Sequence, residues 1–191
     1  MHKTLCLALL LAATAHALAA DDATSKQTAD FRQWQKRVDA EQAAADSALT
    51  DLQQRAAAGD ATAQFELGAL YYLGQGVPQD YAQARVWLEK AAAQGSPEAQ
   101  YRLGLIYESG IGVTPDDAQA AAWWEKAAAQ GFPEAQYNLG IFYNKGRGVP
   151  QNSAKARAWF EKAATQTGDK ETRQAAQKAL QNLNKTGGKK P

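Results

Sequence analysis

The glycine pair of "GQGVPQD" (Gly74 to Asp80) returns as "GIGVTPD" at Gly110 and as "GRGVPQN" at Gly146, each time 36 residues further along the chain. A period of that length means one supersecondary unit stacked on copies of itself, because a single unit cannot bury its apolar face alone. The copies run from 61 to 96, 97 to 132 and 133 to 168, without a spacer. Two glycines one residue apart also suggest a phosphate-cradling loop. That chemistry needs a preceding strand and either a third glycine or a Gly-Lys-Ser/Thr ending. Here a helical pattern precedes and a valine follows, so no nucleotide is expected.

Each unit reads as two helices. In the first, helix A, the stripe Leu67, Leu70, Tyr71 is matched by Leu103, Ile106, Tyr107 and by Leu139, Phe142, Tyr143, at helical spacings of three and four. The second, helix B, opens at Asp80, Asp116 or Asn152, whose side-chain oxygens can accept from the free N–H groups of a first turn; Gln83 and Gln119 suggest a capping box. It closes near Gly95 or Gly131, with Pro97 or Pro133 beyond. Sixteen positions are identical in all three copies, among them Ala63, Gln64, Leu67, Gly68, Tyr71, Gly74, Gly76, Trp87, Glu89, Lys90 and Gln94. Identity at every copy marks repeat geometry rather than a ligand site. Gly68 is expected to let two helices approach closely, and Trp87, Trp123 and Trp159 are expected to fill the core of each helix pair.

The pattern "AQ", "LG", "Y", "G-x-GV", "A-x-A-x-x-W-x-EKAA" over residues 61–168 resembles the Sel1-like repeat family, relatives of the tetratricopeptide repeat. The resemblance implies an all-α fold, a right-handed superhelix of helix pairs whose A helices line a concave surface. It also implies an adaptor role in protein complexes, in members that are commonly exported.

The flanks depart from the pattern. Residues 1–19 read as a signal peptide: Lys3, then "LCLALLLAATA", then the small-x-small site Ala17-Leu18-Ala19, with cleavage after Ala19. Residues 20–60 read as one N-terminal helix with a half repeat, carrying the stripe Phe31, Trp34, Val38 and a cap at Asp30. Residues 169–184 read as a capping helix and 185–191 as a disordered tail. Cys6, His2, His16 and Met1 are the chain's only cysteine, histidines and methionine. A chain cut after Ala19 therefore lacks the side chains for disulfides, Cys/His metal sites and Cys or Ser-His-Asp nucleophiles. No enzyme, metal or cofactor is expected. Lysines and arginines number 21 against 20 acidic residues, which gives no pull toward nucleic acid. No later segment is apolar enough to span a membrane, and the expected location is the periplasm.

If the identical positions are scaffold, the face of helix A that varies between copies is the candidate groove. It comprises Phe65, Glu66 and Tyr72; Tyr101, Arg102, Leu105 and Glu108; and Tyr137, Asn138, Ile141, Asn144 and Lys145. The aromatic members read equally well as groove or as packing between A helices. Three functions fit: an adaptor that binds a protein or peptide in the groove, an inhibitor or immunity protein against a toxic periplasmic enzyme, and a binder of cell-wall glycan.

Overall fold

The computed structural model describes residues 22–166 and 169–187, with side chains from residue 27 to residue 185. The expected signal peptide and the last four residues lie outside these. Eight helices follow in order: α1 (Asp22–Ala57), α2 (Ala61–Leu73), α3 (Tyr81–Ala93), α4 (Pro97–Ser109), α5 (Asp117–Ala129), α6 (Pro133–Lys145), α7 (Ser153–Thr165) and α8 (Lys170–Gly187). The described residues contain no strand, and none of their helices is long and apolar enough to cross a membrane. The chain divides after Thr50 into two compact units. Helix α1 runs unbroken from Asp22 to Ala57, so Asp30 lies in its interior and caps nothing. At the other end α8 extends to Gly187, three residues beyond the expected cap.

In the second unit the six repeat helices are each 13 residues long and pack in sequence order, A on B and B on the next A. Asp80 accepts from the N–H of Gln83, Asp116 from those of Ala118 and Gln119, and Asn152 from that of Lys155. The expected capping box forms only in this half. The cap's own N–H is donated instead to the carbonyl of Tyr71, Tyr107 or Tyr143, at 2.8–3.0 Å, which ties the start of helix B to the end of helix A. Pro97 and Pro133 prove to be the first residues of the next A helices, where the missing N–H costs nothing.

The loop glycines serve this closure. Gly74 ends α2 in the left-handed region (φ +67°), and its N–H, like that of Gln75, goes to the Leu70 carbonyl. Those N–H groups are spent on the chain itself. Gly76 is also left-handed, with open space around it. Its counterpart Gly112 has the same conformation, and a Cβ there would lie 2.6 Å from the Cβ of Tyr81. In an inner loop the second glycine therefore meets two demands.

The core differs from expectation in one respect. Trp87, Trp123 and Trp159 are only half-buried, each covered by the ammonium of Lys90, Lys126 or Lys162 at 3.8, 3.7 and 4.3 Å from the ring centroid. The next residue in each helix B fills the core instead: Leu88, Trp124 and Phe160 are 0%, 0% and 2% exposed. Each presses on the glycine of the "LG" pair. A Cβ on Gly68 would lie 2.9 Å from Leu88 Cγ, and one on Gly104 or Gly140 would run into the Trp124 or Phe160 ring. The sequence does not separate the two positions because neighbouring residues on a helix lie about 100° apart, so both border the apolar stripe. The invariant one is held at its edge by lysine three residues on.

A buried amide ladder joins the repeats. Gln64, Gln100 and Gln136 donate through Nε2 to the carbonyls of Ala56, Ala92 and Ala128 at the end of the preceding helix. Gln94 and Gln130 donate in turn to the Oε1 of Gln64 and Gln100, at 2.8 and 2.9 Å. Ala56 is 1% exposed, so the last turn of α1 stands in for a preceding helix B.

Candidate functional site

The variable residues of helices α2, α4 and α6 are all part-exposed: Glu66 and Lys145 are open to solvent and the other ten are half-buried. Three groups can be distinguished by what their side chains touch.

At the first repeat, Phe65 and Glu66 line a cleft of about 470 Å³ with Ala61, Thr62, Ser96 and Glu98. Two turns on, the Tyr72 ring meets Tyr81 edge-on at 5.5 Å, and the Arg102 guanidinium lies 5.7 Å from the Tyr72 centroid. Three elements, α2, α3 and α4, thus meet in an aromatic and cationic cluster. Among the described residues Arg102 has no ion pair. Tyr81 is 37% exposed and was not among the residues expected from the sequence. It begins helix B at a position that reads Asp117 and Ser153 in the other copies, and that variability beside a recurring Asp or Asn cap was the available signal.

At the middle repeat the side chains are committed to packing. The Tyr101 ring stacks at 5.0 Å on Phe132, and its backbone carbonyl accepts from Trp124 Nε1. Burial, with Glu134 nearby, raises the Tyr101 hydroxyl above its ordinary pKa. Leu105 packs against the buried cluster around Trp124. Glu108 accepts from Arg147 at 3.0 Å, and Arg147 reaches on to Asp117 at 2.7 and 3.0 Å. This fork, stacked 4.6 Å over Phe142, staples the third repeat's loop to the second repeat. Its guanidinium is held further into the charged form, first by the hydrogen bond to Asp117. Glu108 is thus occupied within the chain.

At the third repeat, the Tyr137 ring packs tilted against Phe160, centroids 5.7 Å apart. Ile141, Asn144 and Lys145 line a second cleft, of about 370 Å³, whose other wall is Ala179, Asn182 and Leu183 of α8. Asn138 lies beside the Tyr101 hydroxyl.

These contacts contain no array of nucleophile, base and oxyanion donors, and two of the three invariant carboxylates have structural partners. Glu125 accepts from the Tyr143 hydroxyl of the next helix A at 2.8 Å, and Glu89 pairs with Arg85 at 2.7 Å.

The Sel1 repeat family matches residues 61–96, 97–132 and 133–168. The chain belongs to the Sel1 repeat family. Among solved structures, it is similar to a Sel1 repeat protein from Oxalobacter formigenes, at 45% identity over 70% of this chain and 97% of that one, TM-score 0.63. A protective antigen present in uropathogenic Escherichia coli strains, displaying an SLR fold, is 37% identical over 73% of this chain but only 33% of its own length, TM-score 0.63. Cysteine-rich protein B of Helicobacter pylori shares the fold alone, at 22% identity and TM-score 0.52 over 69% of this chain and 93% of its own. No curated protein matches the chain significantly. Sel1 repeat proteins generally mediate protein–protein interaction and are typically non-catalytic scaffolds. The all-α solenoid expected from the period is the fold of the family.

Proposed function

We propose that this Sel1 repeat chain is an exported, non-catalytic adaptor that holds a protein or peptide partner against the variable faces of α2, α4 and α6. The carrying observation is the Tyr72–Tyr81–Arg102 cluster, in which a guanidinium with no ion pair among the described residues lies over the Tyr72 ring, which in turn meets the Tyr81 ring edge-on. Binding energy concentrates in such aromatic and arginine anchors. The cleft beside Phe65 and the cleft beside Ile141 offer flanking room for side chains of an extended partner. Export rests on the n-region, apolar run and small-x-small site of residues 1–19. The non-catalytic assignment rests on a chain whose cysteine and histidines all fall within those residues.

The test is capture from a periplasmic extract with the chain as bait, followed by titration of the captured partner. Arg102→Ala and Tyr81→Ala together should weaken binding by about 1–3 kcal/mol. Helical content and melting temperature should hold, because neither side chain fills the core. Unchanged affinity would remove the cluster from the interface and the reading with it.

A further inference from the structure

The turn that leads from a helix B into the next helix A packs beside the preceding helix A in two equivalent places, and the two are filled differently. Before α6 the turn Gln130-Gly131-Phe132 lays the Phe132 ring on Tyr101, with centroids 5.0 Å apart and planes inclined by 34°. Before α4 the same turn reads Gln94-Gly95-Ser96, and Phe65 stands where Tyr101 does. The backbone is the same in both, with Ser96 at φ −57°, ψ 115° and Phe132 at φ −67°, ψ 112°. The Ser96 hydroxyl stays within its own turn, accepting from the Ala99 N–H and donating to Glu98. Beside Phe65 this leaves the cleft of about 470 Å³, which is the space a phenylalanine fills in the next repeat.

The rims differ in charge as well. Around Phe132 the flanking positions read Arg102 and Glu134, of opposite sign; around the cleft the equivalent pair is Glu66 and Glu98, both exposed carboxylates. Neither makes an ion pair among the described residues. Arg55, a cation within electrostatic reach of Glu66, is already engaged by Asp60 at 2.9 Å and Asp51 at 3.9 Å. Two like charges beside an apolar cleft select a partner that brings the opposite sign.

We propose that the Phe65 cleft receives an aromatic side chain flanked by lysine or arginine in a segment of a partner protein. The proposal rests on the reading of these faces as a partner surface, and it adds which side chains the partner brings. The ring packs on Phe65 as Phe132 packs on Tyr101, within the separations of about 4.5–7 Å that aromatic pairs favour. The flanking cations face Glu66 and Glu98.

Nuclear magnetic resonance of the isotope-labelled chain, titrated with lysyl-phenylalanyl-lysine blocked at both ends, tests the assignment. Saturable shifts are expected at the amides of Phe65, Glu66, Ser96 and Glu98. Exchanging the probe's phenylalanine for alanine, or its lysines for glutamates, should weaken binding about tenfold or more. Glu66→Gln with Glu98→Gln, two changes on exposed side chains, should do the same. Ser96→Phe supplies the ring from within and should abolish the shifts in a chain that still melts cooperatively, whereas Tyr81→Ala should leave them. The proposal is overturned by the absence of saturable shifts, by shifts confined to other residues, by an equal response to the glutamate-flanked probe, or by binding that survives Ser96→Phe. An equal response to chitotriose overturns it too, and makes the cleft a glycan site. The probe does not require the Tyr72–Tyr81–Arg102 cluster. A seated probe together with a captured partner indifferent to Arg102 and Tyr81 therefore supports the cleft and removes the cluster, and the converse pair of results removes the cleft alone.

Discussion

A Cβ on Gly104 would collide with the indole of Trp124, which fills the space between α4 and α5, is fully buried, and donates to the Tyr101 carbonyl. Trp123, one residue earlier, lies half-exposed under Lys126. The two should respond differently to truncation. Trp124→Ala should cost about 3–5 kcal/mol, since it opens a cavity, whereas Trp123→Ala removes a cation–π contact and part of a ring's burial, roughly 1–2 kcal/mol. Urea unfolding midpoints of the two variants check this; equal losses would contradict the assignment of the core. At this scale the sequence was legible where identity had one cause. Gly68 recurs because a helix B side chain takes the space of a Cβ, and Gln64 because its amide reaches the carbonyl of the preceding helix. Trp87 recurs too, but identity across copies does not distinguish a core residue from one clamped at the core's edge. The residue that fills the core is free to vary as Leu88, Trp124 or Phe160, because each needs only to meet a glycine.

Helix ends show how local signals are satisfied or reassigned by their neighbours. Asp60 accepts from the N–H groups of Thr62 and Ala63 and from Arg55, which bridges the end of α1 to the start of α2. Its carboxyl is held below the ordinary value of about 3.9, first by the Ala63 N–H and then by Arg55. A depressed folded pKa means stabilisation that is fully present above the unfolded value and is lost as pH falls through the folded one. Asp60→Asn keeps a cap acceptor but no longer titrates. Thermal melts from pH 6 down to pH 2 should therefore show the wild type losing part of its advantage over Asp60→Asn below about pH 4. A difference constant across that range would contradict the role given to the carboxylate. The helices themselves were legible from period and caps. The reciprocal half of the capping box was not, since only the folded unit shows the cap's N–H taken by the carbonyl of Tyr71, nine residues earlier. Nor could the sequence reveal that Glu108, an exposed-looking groove residue, is claimed by Arg147 from the next repeat.

As a whole molecule, the repeat array is governed by nearest neighbours, so its stability should be close to a sum over units and junctions. The residues that open the second and third repeats are the same, "PEAQY", at Pro97 and at Pro133. Deleting 97–132 therefore joins Ser96 to a sequence it already precedes. The shortened chain should still unfold cooperatively, at a lower midpoint and with a smaller denaturant slope, because less surface is exposed. Circular dichroism against urea reads both, and a collapse into an uncooperative transition would show that stabilisation is not local. The amide ladder carries a further consequence. Each A-helix glutamine donates backward, and Gln64 and Gln100 also accept from their own repeat's end, so the array has a direction, as a growing polymer has a head and a tail. At the head the rung is absent. Gln94 and Gln130 end their helices at ψ 1° and 2°, whereas Gln166 turns away at ψ 141°, and the buried Oε1 of Gln136 is left without a donor among the described residues. A copy inserted between existing repeats inherits both of its rungs without any new residue, whereas one appended after Gln166 must first rebuild that turn. Such a chain lengthens more readily from within than from its end.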